Sequence, residues 1–170
     1  NGYAGATNVQ GGTLVALSGG ALPATSNVSV ATGATLDIRA NQTVGGLNGA
    51  GSVLLGANLT TGGLDANDSF AGVASGNGGL TKTGSGTLTL GGANAYLGAT
   101  QVNAGTLQLD GSVAGAVSVA GGATLSGSGS AAGVVTIADG AHLAAGGAGA
   151  GTLTTGGLVL SAGSVLDMGL

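Results

Sequence analysis

The sequence predicts an all-β solenoid of about eight short rungs with no significant helix. Three observations carry that expectation. Apolar residues alternate with polar ones, as in Thr87-Leu88-Thr89-Leu90 and Thr106-Leu107-Gln108-Leu109, which places the leucines on one face of a strand and the polar side chains on the other. Each alternating run is short and is bounded by Gly, Asn or Ser, the residues of tight turns. The runs also recur: the chain repeats itself at periods near 18–25 residues, the range in which each unit is one rung of a stack.

The repeats can be taken in order. Asn1–Leu14 matches Asn94–Leu107 without a gap, with Asn1, Tyr3, Gly5, Ala6, Thr7, Val9, Gly12, Thr13 and Leu14 identical. Residue 1 therefore reads as the middle of a repeat, and residues 1–170 as a single β-helical segment excised from a longer chain. A second unit, Val-x-Val/Ile-Ala-x-Gly-Ala-x-Leu, occurs at Val28–Leu36, Val117–Leu125 and Val135–Leu143, with a looser copy at Leu158–Leu166. A third, Gly-Leu followed by a Gly-x-Leu-x-Leu-Gly tail, occurs at Gly46–Gly56 and Gly79–Gly91. One such unit cannot bury enough apolar surface to offset its own ordering. Stacked units pair one another's backbone groups and share one apolar column. At about 4.8 Å per rung, eight rungs make a rod on the order of 40 Å long.

The expected column contains Leu14, Val28, Val30, Leu36, Ile38, Val53, Leu55, Leu88, Leu90, Leu107, Leu109, Val117, Val119, Leu125, Val135, Ile137, Leu143, Leu153, Leu158, Leu160, Leu166 and Met168. Ser29, Asp37, Thr87, Thr89, Gln108, Ser118, Thr136 and Asp167 are expected to face outward. Leu64–Asn77 interrupts the pattern and reads as a wider rung or lateral loop.

Composition excludes other classes. Glycine is 40 of 170 residues, yet 43% of the chain is hydrophobic and in register, against a disordered Gly-rich segment. Collagen is excluded, because glycine has no period of three and there is one proline. The formal net charge is −4, and Arg39 and Lys82 are the only Lys or Arg residues, so no basic patch for nucleic acid can form. No apolar run approaches the ~18–20 residues of a membrane-spanning helix. Without cysteine there is neither a disulfide nor a thiolate metal site.

Residues 70–109 carry a specific resemblance. Leu80-Thr-Lys82-Thr-Gly84-Ser-Gly86-Thr-Leu88-Thr-Leu90, the Asn94-Ala-Tyr96-Leu-Gly98 turn and Ala104-Gly-Thr-Leu107-Gln-Leu109 resemble the autotransporter-associated β-strand repeat. Such repeats occur in passenger domains of type V secreted proteins of Gram-negative bacteria. Residues 21–56 resemble the segment that commonly lies between them. The Ala-Asn-Ala-Tyr turn departs from the family's frequent Thr beside the Tyr. The resemblance implies a right-handed parallel β-helix at the cell surface, anchored through the outer membrane and exported with its own C-terminal outer-membrane β-barrel as partner. It also implies repeats that assist secretion and folding.

Candidate chemistry is sparse, and the expected catalytic, cofactor and metal residues are none. His142 is the only histidine, no Gly-x-Ser-x-Gly elbow accompanies it, and its expected place is that of Thr124 in the preceding rung. Of the six acids Asp37, Asp65, Asp68, Asp110, Asp139 and Asp167, only Asp65/Asp68 form a close pair. Paired carboxylates could serve glycoside chemistry, but a solvated turn is favoured. Gly146–Gly151 lacks the Asp of calcium-binding β-rolls, no Gly-Lys-Ser/Thr phosphate loop exists, and Thr-x-Thr pairs are scattered. The leading expectation is a structural stalk that displays the functional part of a passenger. The alternative is an adhesive module binding a host or neighbouring-cell ligand through an outward Thr/Ser/Asn ladder; a carbohydrate-active β-helix comes third. The rungs at the two ends are expected to stack end to end.

Overall fold

Short strands, most of three or four residues and most followed by a glycine-bearing corner, wind this chain into a parallel β-solenoid with three faces. The structure, a computed structural model, describes residues 3–146 and 151–168. No helix is present among them, and every strand pairing is parallel.

Face 1 is a sheet of nine strands: 7–9, 27–30, 46–49, 68–70, 87–90, 106–109, 124–127, 142–145 and 165–168. Nine strands on one face enclose eight turns. Face 2 begins with strands 13–16, 35–38, 52–55 and 73–75 and continues through the two-residue strands 93–94 and 112–113. Face 3 holds 42–43, 59–61, 80–82, 100–102 and 117–119. In the last turns the corner between faces 2 and 3 straightens. The single strand Ser130–Ile137 pairs at its start with 112–113 and at its end with 117–119.

The interior is the aliphatic column that the alternation predicts. On face 1, Leu88, Leu107, Leu125 and Leu143 stack in register, as do Leu90 and Leu109. All are at most 4% exposed. Val28, Val30, Leu36, Ile38, Val53, Leu55, Val117, Val119, Val135 and Ile137 are buried as well. Leu22, Val44, Leu47, Leu59, Leu80, Val102 and Val113, which alternation does not single out, complete the core. Leu14 and Leu153 are partly buried. The last turn differs from expectation: Leu158, Leu160 and Leu166 are exposed, because no further rung among the described residues covers them. The side chain of Met168 and residues 169–170 lie outside the described residues.

Two acids also differ from expectation. Asp37 does point away from the core, in register between Val15 and Leu54. It is nonetheless 5% exposed, flanked by those apolar neighbours and bound by Arg39 Nε at 2.8 Å. Asp68 is no solvated turn residue. It occupies the inward register of Leu88, is 5% exposed, and accepts from Asn48 Nδ2 at 2.7 Å. A Cβ at residue 46 would lie 2.6 Å from its Oδ2, so Gly46 leaves room for the carboxylate. Within 64–77, residues 64–67 form a corner, while Asp68–Phe70 and Val73–Ser75 pair in faces 1 and 2.

The same motif turns different corners in the two halves of the rod. Val28–Leu36 runs from face 1 to face 2, whereas Val117–Leu125 and Val135–Leu143 run from face 3 to face 1. Gly46–Gly56 and Gly79–Gly91 differ in the same way. The slip of one face falls between residues 56 and 79.

Candidate functional site: the corners of the central repeat

Three corners of residues 80–109 hold buried polar side chains, Lys82, Asn94 and Thr100 among them, beside the buried hydroxyl of Tyr96. At the first, Lys82 follows Leu80 on a face 3 strand and, by alternation, points inward, in register between Thr61 and Val102. A lysine there needs acceptors for its charge. Its Nζ donates to the carbonyls of Thr83 at 2.6 Å, Gly84 at 2.8 Å and Ala104 at 3.3 Å. These oxygens belong to two successive turns, so one ammonium ties the corner to the corner above. Burial lowers the Lys82 pKa from 10.5, while the carboxylates of Asp65 and Asp68 pull it back up. With Lys82 1% exposed, Arg39 is the one cation on the surface. Thr61 Oγ1, beside Lys82, is buried without a hydrogen-bond partner.

Gly84 explains the glycines of the motif. Its φ is +69°, and a Cβ there would lie 2.0 Å from the carbonyl oxygen of Gly62 in the turn below. The lower turn in return caps amides of the upper one: Asp65 Oδ1 accepts from Ser85 N at 2.6 Å and Asn67 Oδ1 from Thr87 N at 2.9 Å.

At the second corner Asn94 repairs a break in face 2. Strands 73–75 and 93–94 are not continuously paired. Ala74 N donates to Asn94 Oδ1 at 2.9 Å, Ala95 N donates to Ala74 O at 2.8 Å, and Asn94 Nδ2 reaches Gly92 O at 3.0 Å. Tyr96 then turns into the core, 0% exposed, with its hydroxyl 2.6 Å from Thr100 Oγ1. Burial raises its pKa to about 12, with the Thr100 hydrogen bond opposing. The first turn repeats this device: Tyr3 Oη lies 2.5 Å from Thr7 Oγ1, which lies 2.8 Å from Ser26 Oγ. The Asn103–Thr106 corner is the third, closed by the Lys82 bond to Ala104 O.

The sequence-stated candidates for chemistry do not assemble. His142 stands in register with Thr124, as the repeat alignment expects, and its Nδ1 is 3.1 Å from Asp167 Oδ2 on the exposed side of face 1. No serine is among its hydrogen-bond partners. Asp65 and Asp68 cap different backbones and side chains. Asp110 leans onto Gln108 Nε2 at 2.7 Å, and Asp139 caps Gly163 N at 2.9 Å. Among the described residues no three His, Cys, Asp or Glu side chains converge as a metal site. Most of Gly146–Gly151 lies outside the described residues. What sequence reasoning missed was the inward lysine, whose signal was its place two residues after Leu80.

Residues 80–109 and 1–16 match the family model described as the passenger-associated-transport-repeat. The matched stretches are the ones that hold the Lys82, Tyr96–Thr100 and Tyr3–Thr7 devices. Over those two stretches this chain is similar to that repeat. It is also similar to two proteins of Serratia marcescens, each named extracellular serine protease. The first is 55% identical and the second 47%, each over 60 residues that make up 35% of this chain and 6% of the relative. The chain thus spans a small fraction of the length of the curated relatives it matches. No solved structure matches the chain.

Proposed function

We propose that this segment is a structural stalk of a secreted passenger. In this reading it helps the passenger cross the outer membrane of a Gram-negative bacterium through a C-terminal β-barrel, fold outside, and display its functional part at the surface. The single observation that supports this best is where its polar groups are spent. Lys82, Asn94 and Asp68 are buried at the joints between turns and tie successive rungs together, while the buried Tyr96 braces its own turn through Thr100. We infer that the segment is non-enzymatic. The protease chemistry in the relatives' name is not carried over to it.

A one-turn deletion tests the stalk reading. Thr87 and Thr106 are register partners, so removing residues 87–105 from the full-length protein joins Gly86 to Thr106 and keeps the register. Passenger reaching the cell surface should fall several-fold, and the exported fraction should become protease-sensitive. Unchanged export and protease resistance would refute the reading.

One feature favours the adhesive alternative. Face 3 carries an outward register row, Thr43–Thr60–Thr81–Gln101–Ser118–Thr136, exposed or half-exposed except at Thr81, which is buried and bound by Asn58. A glycan array would separate the two: specific binding lost on Gln101→Ala would favour adhesion. The exposed leucines of the last turn support end-to-end stacking of the isolated chain.

A further inference from the structure

The three outer faces differ in chemistry. Apart from Tyr3 and the last turn, the described chain exposes seven large hydrophobic side chains. Six of them, Val15, Leu17, Leu54, Val73, Leu97 and Val134, lie on face 2 or its corner with face 3. Face 1 and face 3 strands present Thr, Ser, Asn and Gln instead. Face 2 is also the face without net charge. Asp37 there is closed by Arg39, and Asp110, at its edge, is turned away onto Gln108 of face 1. The acids behind the net charge of −4 lie elsewhere, so two copies meeting on face 2 would keep their like charges apart.

The relief of face 2 is self-complementary. Its first four strands carry the larger exposed side chains as a broken apolar ridge, Val15 and Leu54 in one register column with Asp37 between them and Val73 two residues off it. Its next three turns are hollow: a groove of about 360 Å³ lined by Ala93, Ala95, Ser112, Ala114, Ser130 and Ala132. A two-fold axis lying in this face, along the strand direction between strands 73–75 and 93–94, sets the ridge of each copy into the groove of the other. The operation makes the rods antiparallel and closes the assembly at two, because the same patch serves both partners.

We propose that face 2 is an interface for a second copy of this chain, joined side to side and antiparallel. The size of the face sets its strength. Eight strands at ~4.8 Å and a width of about four residues give roughly 500 Å² per copy. That is about 1,000 Å² in total, the range of weak and transient complexes. An area of that size suits a weak association of many copies held at high local density rather than a permanent dimer. The inference does not rest on the stalk reading.

The 170-residue chain tests it by sedimentation equilibrium from 10 μM to 1 mM. A monomer–dimer equilibrium is expected, and Leu54→Arg should weaken it at least tenfold while leaving the circular dichroism spectrum unchanged, since Leu54 points to solvent. The absence of cysteine allows a geometric check. The two-fold axis brings Ser52 of one copy opposite Ser112 of the other. An equimolar mixture of Ser52→Cys and Ser112→Cys chains should therefore form mixed disulfide dimers well in excess of either homodimer. Monomer throughout the range, dimerisation indifferent to Leu54→Arg, or cross-linking without preference for the mixed pair would each overturn the proposal. End-to-end stacking alone would show the last two.

Discussion

Replacing Lys82 by Met keeps the aliphatic stem that packs in the core and removes the ammonium. Two short bonds, to Thr83 O at 2.6 Å and Gly84 O at 2.8 Å, and a longer one to Ala104 O at 3.3 Å are lost. Hydrogen bonds to a charged group contribute about 1.5–3 kcal/mol each, so the two short ones are worth about 3–6 kcal/mol. The desolvation that lowers the Lys82 pKa offsets part of this. We expect Lys82→Met to lose ~2–4 kcal/mol, the carbonyls being left facing a methyl group. The assay is urea unfolding followed by far-ultraviolet circular dichroism at pH 7. A pH series adds a second readout. Where the folded lysine has released its proton and the unfolded one, at 10.5, has not, the unfolded state binds more protons. Stability contributed by this group therefore rises with pH in the window below 10.5. Lys82→Met should lack that rise. A variant as stable as the parent, or more so, would show that the ammonium costs the fold as much as its three bonds return.

Three other outcomes are expected. Leu107→Asp places an unpaired charge in the aliphatic column and should lose more than ~4 kcal/mol, whereas Thr106→Asp, on the outer row, should lose less than ~1 kcal/mol; equal losses in thermal unfolding would invert the inside–outside assignment. Gly92→Ala sets a Cβ 1.8 Å from Gly72 O and should unfold the middle of the rod, while at Gly91 the nearest atom is 3.7 Å away and the same substitution should be neutral or slightly stabilising in the same assay. Tyr96, raised from 10.0 to about 12, contributes about 3 kcal/mol of stability that is complete below pH 10 and lost as pH rises through about 12; Tyr96→Phe should flatten the alkaline limb of the stability profile.

Much of the architecture was legible in the residues. Four-residue strands such as Thr87–Leu90 display two full periods of alternation, enough to decide which face is inward. Leu59, Leu80, Val102 and Val113 sit in strands of two or three residues beside glycines, too short for a period to be recognised. Lys82 and Asp68 were obscured for another reason. Their polarity argues for the surface, and only the carbonyls of its own corner and of the turn above for one, and a side-chain amide of the turn below for the other, make the interior tolerable. The assignment of a motif to a face could not be read at all, since Val28–Leu36 and Val117–Leu125 use the same residues at different corners. His142 was placed correctly because its neighbours repeat those of Thr124 without a gap.

That interchange of corners bears on how such rods grow. If a corner motif is indifferent to which side of the triangle it closes, a duplicated stretch of gene need not encode a whole number of turns. An insertion of one side, or of four, can be absorbed as long as the strands above find partners below, and the cost is a rotation of everything beyond it by a third of a circle. Lineages could thus lengthen the rod in small increments while swinging distal surface features around its axis. The slip between residues 56 and 79 is what one such event would leave behind.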